Sequence, residues 1–146
     1  MKKGSNAFKK GILRGKICPY CHGKTELIDS ANVYNGRSYG LVFACLPCQA
    51  WVGVHKGSKI ALGRLAQQDL RALKMRGHAI FDPIWRGWIE LGDPKDVARN
   101  KAYKWLAGLL NIPVEECHFG YFNEERCEKA IYLMEDWLEK YPKFVL

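Results

Sequence analysis

Two cysteine pairs, Cys18-Pro19-Tyr20-Cys21 and Cys45-Leu46-Pro47-Cys48, restrict what this chain can fold into more than any other feature. A Cys-x-x-Cys turn aims two sulfurs at one ion. Two such turns joined by a hairpin-length insert complete a closed tetrahedral shell of four thiolates. The spacing predicts one structural Zn2+ on Cys18, Cys21, Cys45 and Cys48. A closed shell has no open coordination position, so the metal is expected to hold structure rather than to catalyse.

The residues around the cysteines suit an antiparallel ribbon. Leu27-Ile28 follows the first turn, Asn35-Gly36 is a hairpin signal, and the stretches from Ser38 to Ala44 and from Trp51 to Val54 carry strand-forming aromatic and β-branched residues. This places a four-cysteine zinc ribbon over 17–57. A ribbon of that size buries little apolar surface, so metal binding is expected to supply much of its folding free energy. Ahead of it, 1–16 reads as a flexible basic arm, with Lys2, Lys3, Lys9, Lys10, Arg14 and Lys16 among Gly and Ser. Past Lys56-Gly57-Ser58 the apolar period lengthens to about 3.6, which opens a helical domain over 58–146.

Three helices are expected there. In the first, Leu62, Leu65, Leu70, Leu73, Gly77, Ile80 and Ile84 share one side, and Asp82-Pro83 should stop or kink it. The second starts at Asp93 as N-cap, buries Ala98, Ala102, Trp105, Leu106 and Leu109, and ends at Asn111-Ile112-Pro113. The third is capped by Asn123 and turns Cys127, Ala130, Ile131, Met134 and Leu138 inward. The fold class expected is α+β, a small antiparallel zinc ribbon with four cysteine ligands packed with a C-terminal group of about three helices.

Composition excludes several classes. The longest apolar runs fall well short of the ~18 residues of a membrane span, and Arg14 and Lys16 interrupt the only candidate for an export signal. Six cysteines without such a signal point to reduced thiols and a cytoplasmic protein, in the bacterial host if a phage encodes it. No phosphate-cradling glycine loop or nucleophile elbow is present, and the carboxylates of residues 1–110 are few and scattered. A non-enzymatic protein with no small-molecule substrate is expected.

The charge pattern points to a polyanion. Residues 1–110 carry 19 Lys and Arg against 7 Asp and Glu, whereas 111–146 carry 4 against 8. Four zinc-bound thiolates lower the net charge from +8 to +6 without changing its sign. Tyr20, Tyr34, Tyr39, Phe43 and Trp51 lie among Lys16, Lys24, Arg37 and Lys56, an interleaving that suits base stacking next to phosphate contact. Tyr20, Arg37 and Tyr39, at a knuckle and a hairpin tip, are the better contact candidates, with Lys59 close by in sequence to Lys56. Phe43 and Trp51 are expected to fill the ribbon core. Arg64, Arg71 and Lys74, with His78, form a stripe on the first helix that can follow a phosphate backbone, and Asp69 is the only carboxylate among them. Nucleic acid is therefore the expected partner. A host protein is the alternative, favoured by the acidic run of Glu115, Glu116, Glu124, Glu125, Glu128, Glu135, Asp136 and Glu139.

Several segments carry a resemblance. They are Cys18-Pro19-Tyr20-Cys21, the run from Cys45 to Ala66, the stretch from His78 to Trp85, Ala102-Tyr103-Lys104-Trp105-Leu106-Ala107, and Cys117-His118-Phe119-Gly120. In these the chain resembles a family of small zinc-finger-containing proteins encoded mostly by bacteriophages and prophages. The resemblance spans residues 18 to about 134. It implies a zinc on the four paired cysteines and a phage or prophage setting, and it carries over no activity. The polar run from Gly53 to Arg64 is where a functional surface is expected, because a connecting loop that is so particular in sequence needs a reason.

Overall fold

The computed structural model describes residues 4–145, and the chain divides into two compact units that part between Gln68 and Asp69. The first unit contains α1 (Asn6–Leu13), β1 (Glu26–Asp29), β2 (Leu41–Cys45) and β3 (Ala50–Gly53). The second contains α2 (Gln68–Glu90, beginning at the division), α3 (Lys95–Leu110) and α4 (Glu124–Lys140). The α+β class with a ribbon and three larger helices is as expected. No helix among the described residues is long and apolar enough to cross a membrane.

In the first unit the three strands form an antiparallel sheet in the order β1-β2-β3. Leu27 pairs with Phe43 across β1 and β2, and Phe43 pairs with Val52 across β2 and β3. Alternation then separates the two faces. Phe43, Cys45, Ala50 and Val52 share the face that packs with Cys18, Ala61 and Leu65 as the core. Val42, Ala44, Trp51 and Gly53 lie on the other.

Two expectations about the ends of this unit are corrected. The segment expected to be a flexible arm contains α1, N-capped by the Ser5 hydroxyl, which accepts from the Phe8 N–H at 3.1 Å. Phe8 is buried, and Gly11 lies so close to the chain that an added Cβ would sit 2.5 Å from Ile17 Cδ1. Lys2 and Lys3 of the expected arm lie outside the described residues. At the other end, 58–67 is not the start of a helix. Ala61, Gly63 and Leu65 are buried while Leu62 is exposed and Arg64 half-buried, a period of two. The segment folds back along β3 through backbone bonds from His55 N to Ile60 O, Leu62 N to Gly53 O and Ala66 N to Trp51 O. The ribbon unit therefore extends eleven residues beyond the expected boundary at 57/58, to Gln68.

In the second unit α2 buries Leu70, Gly77, Phe81, Ile84 and Trp85, and it continues through Pro83 instead of stopping there. A proline inside a helix costs about 3 kcal/mol. Burial of Phe81, Ile84 and Trp85, at about 1.5–3 kcal/mol for each fully enclosed side chain, outweighs that cost. The chain leaves α2 through Gly92, and Pro94 takes the N-cap position of α3 that was expected of Asp93, whose carboxylate instead bonds to Lys101 Nζ at 2.6 Å. In α4 the expectation holds: Asn123 Oδ1 accepts from Arg126 N at 2.9 Å, and Cys127, Ala130, Ile131 and Met134 are buried.

Phe119, in a 3-10 turn before α4, fills the centre of this unit against His78, Phe81 and Phe122. Its ring occupies the space left by Gly77, where an added Cβ would clash with Phe119 Cε1. Overpacking costs about 1–3 kcal/mol, against the roughly 1 kcal/mol that alanine gains over glycine in a helix. Because the ring is enclosed on its other sides, the clash should win. Gly77→Ala is expected to lower the stability of this unit by about 1 kcal/mol in urea melts, and increased stability would show that the ring can shift.

Candidate metal centre and ribbon groove

The first Cys-x-x-Cys pair precedes β1, and the second closes the hairpin between β2 and β3. Each pair is shaped by backbone bonds. In the first, His22 N donates to Cys18 O at 2.8 Å; in the second, Gln49 N donates to Leu46 O at 3.1 Å. The residue after each second cysteine, His22 at φ 65° and Gln49 at φ 52°, takes the left-handed conformation that reverses the chain around the sulfurs.

The four sulfurs all lie within 4.8 Å of one another, and Cys21 Sγ is 3.7 Å from Cys45 Sγ. Zinc–sulfur bonds of about 2.3 Å put the corners of a tetrahedron about 3.8 Å apart, so the donor set and its spacing fit one zinc ion. Without metal the thiols differ sharply. The Gly23 N–H, aided by the Cys48 and Cys45 thiols, brings Cys21 down to about 7, while desolvation pushes Cys48 up to about 12 and raises Cys45. A divalent cation overrides that disparity by holding all four as thiolates. Cys18 and Cys45 are buried in the core, so the centre and the core are one structure. The other two cysteines, Cys117 and Cys127, are buried in the helical unit, where burial pushes the Cys117 thiol up to about 12.

On the ribbon unit a groove of about 870 Å3 brings together three of the residues singled out in the sequence, Tyr39, Lys56 and Lys59. Its walls come from the loop between β1 and β2 and from the turn after β3, and Val42 and Gly53 on the face away from the metal core contribute to its floor. The loop is held by Ser30, a buried side chain whose Oγ accepts from Tyr39 N at 2.6 Å. Asp29 supports it by accepting from Ala31 N and from Ser38 Oγ. The turn is fixed by Ser58, whose hydroxyl donates to His55 O and accepts from Ile60 N. Lys56 and Lys59 are exposed on that turn.

Two further residues line the groove, Tyr34 from the aromatic and basic interleaving of the ribbon and Leu62 from the run between Gly53 and Arg64. Tyr34 stands edge-on to both Tyr39 and Trp51, with ring centroids 5.3 Å and 5.7 Å apart, and its hydroxyl accepts from Trp51 Nε1 at 3.0 Å. Leu62 is exposed at the rim. Tyr34 and Tyr39 are five apart across Asn35-Gly36, where both turn residues have positive φ.

The remaining candidates are placed differently. Arg37 is exposed on the same loop. Lys16 is exposed with its Nζ 4.3 Å from the centre of the buried Phe43 ring. Tyr20 packs against the metal core, and its hydroxyl accepts from Gln67 N at 3.1 Å. The stripe on the first helix is corrected. Arg64 precedes α2 and belongs to the ribbon unit, where its Nε is enclosed without a hydrogen bond. Arg71 and Lys74 are half-buried on α2; Lys74 Nζ donates to Gly120 O at 3.3 Å, and His78 packs on Phe119. Trp51 is half-buried and Phe43 fully buried.

No curated protein and no solved structure matches the chain. The four clustered thiols instead agree with a match at the level of family: the model of a zinc-finger-containing domain, DUF3268, matches residues 14–137 of the 146, and the chain belongs to that family.

Proposed function

We propose that this is a non-enzymatic zinc-binding protein that acts as a nucleic-acid-binding accessory factor, in the phage or prophage setting implied by its resemblance. The observation that carries the reading is the groove in which Tyr34 and Tyr39 meet Lys56 and Lys59. Aromatic faces beside flexible cations are what a base and its phosphate require together. The charge of the ribbon unit supports it. Residues 1–68 contain 11 Lys and Arg against only Glu26 and Asp29, whereas 69–146 contain 12 against 13. Even after zinc and four thiolates are counted the ribbon unit is strongly positive, and Asp29 is already engaged by Ala31 and Ser38.

The test is salt dependence. Binding to labelled nucleic acid should weaken steeply with ionic strength, with each phosphate contact contributing about 0.7–0.9 to the log–log slope. Joint Lys56→Ala and Lys59→Ala substitution should reduce that slope by about 1.4–1.8 if each lysine meets one phosphate. Absence of binding to both single strands and duplex at low salt would overturn the reading.

One observation favours the second reading, a protein that binds and modulates a host nucleic-acid enzyme or defence system. A groove of about 530 Å3 on the helical unit sets Glu128, Glu135, Asp136 and Glu139 around the exposed Tyr132, with Arg76 opposite in charge. Such a surface suits a basic protein partner. Charge reversal there, with nucleic-acid binding unaffected, separates the two readings.

A further inference from the structure

We infer that the ribbon groove takes unpaired nucleotides, so that the ligand is single-stranded nucleic acid with a base stacked on Tyr39 and its flanking phosphates on Lys56 and Lys59. This rests on the nucleic-acid reading above and narrows it to one ligand class and one contact geometry.

Shape decides between strands. A duplex is read by an element that projects into a groove of the nucleic acid, such as a helix or a two-stranded ribbon. Here the aromatic and basic residues line a concavity of about 870 Å3 instead. That volume lies within the range of sites that enclose small ligands. Bases inside a duplex are stacked on one another and cannot enter it. An unpaired base can leave its neighbours and lie on an aromatic ring.

The ring is available and held in place. Tyr39 is 67% exposed, the most open of the groove's aromatic residues, yet its backbone N–H is tied to Ser30 and its ring leans edge-on against Tyr34. Tyr34 is in turn locked by the Trp51 indole. A platform already rigid before binding loses little conformational freedom on binding. Gly53 contributes no side chain to the floor, where Leu62 Cδ1 lies 3.5 Å from the position of an added Cβ, and exposed Leu62 adds apolar surface at the rim. Lys56 and Lys59 stand on the Ser58-pinned turn, so both cations are presented from one wall. A ring face and two ammonium groups do not distinguish one base from another, so binding through them should be tolerant of sequence.

The experiment compares the zinc-loaded full-length protein with short labelled oligothymidylate, oligoriboadenylate and a hairpin duplex in anisotropy titrations at low salt. Single strands of either sugar are expected to bind more tightly than duplex. Tyr39→Ala should weaken single-strand binding about 5- to 150-fold, while Tyr39→Trp should preserve it, since either ring offers a stacking face. The exposed position of Tyr39 makes both variants compatible with folding, and retained zinc content with a Trp51 indole resonance still dispersed from its random-coil position confirms that. Equal affinity for duplex and single strand, or an unchanged affinity in Tyr39→Ala, would overturn this inference and leave the nucleic-acid reading standing. Loss of that reading requires that none of the three probes bind.

Discussion

Chelation of zinc from the full-length protein is expected to unfold the whole ribbon unit while α2, α3 and α4 remain helical. The core of that unit consists of Cys18, Phe43, Cys45, Ala50, Ala61 and Leu65, and two of those six are metal ligands. Structural zinc sites supply about 10–16 kcal/mol, as much as the total stability of an ordinary domain, so little remains to hold the unit once the ion is gone. Both α1 and the 58–67 segment pack on this unit and should be lost with it. The helical unit has its own core around Phe81, Phe119, Phe122 and Met134. Tryptophan indole resonances give a direct readout, because Trp51 is in the ribbon unit and Trp85, Trp88, Trp105 and Trp137 are in the helical one. One of five signals should collapse to its random-coil position and four should stay dispersed, with Cys18→Ser giving the same pattern. A dispersed Trp51 signal after complete chelation would show that the ribbon folds without metal.

The metal site was legible in the sequence because its information is local. Cys-x-x-Cys fixes two sulfurs within one turn, and only the joining of two turns is left to the fold. Capping by Asn123 and the inward face of α4 were legible for the same reason. The groove was legible only in parts. Tyr39, Lys56 and Lys59 stood out by type, but antiparallel pairing of β2 with β3 is what brings a loop near residue 39 beside a turn near residue 57. Of the stop or kink expected at Pro83 the stop does not occur, because three buried neighbours offset the local cost. α1 was missed because Gly11 interrupts a short basic helix, although Ser5 as cap and Phe8, Gly11 and Ile12 at helical spacing were there to be read. Leu62 and Leu65 are the most instructive case. A spacing of three fits one face of a helix, yet Ala61, Gly63 and Leu65 also fit the alternation of an extended chain, and the burial available on the ribbon selects the latter.

Leu65→Ala turns that ambiguity into an expected result. Leu65 is fully enclosed in the same core as Cys18 and Cys45, so truncation should cost about 2–5 kcal/mol. If the metal-free ribbon is unfolded, folding and zinc binding are one equilibrium and the loss appears in full as weaker metal binding. A loss of about 2 kcal/mol corresponds to about a 30-fold weaker zinc affinity, measurable by competition with a chelator. Urea unfolding of α2, α3 and α4 should not change. Leu70→Ala is the complementary variant, only five residues further on but buried in α2. It should destabilise the helical unit by a similar amount and leave zinc affinity as it was. If Leu65→Ala instead lowered the stability of the helices and left the metal untouched, Leu65 would belong to the helical unit and the first unit would end before it.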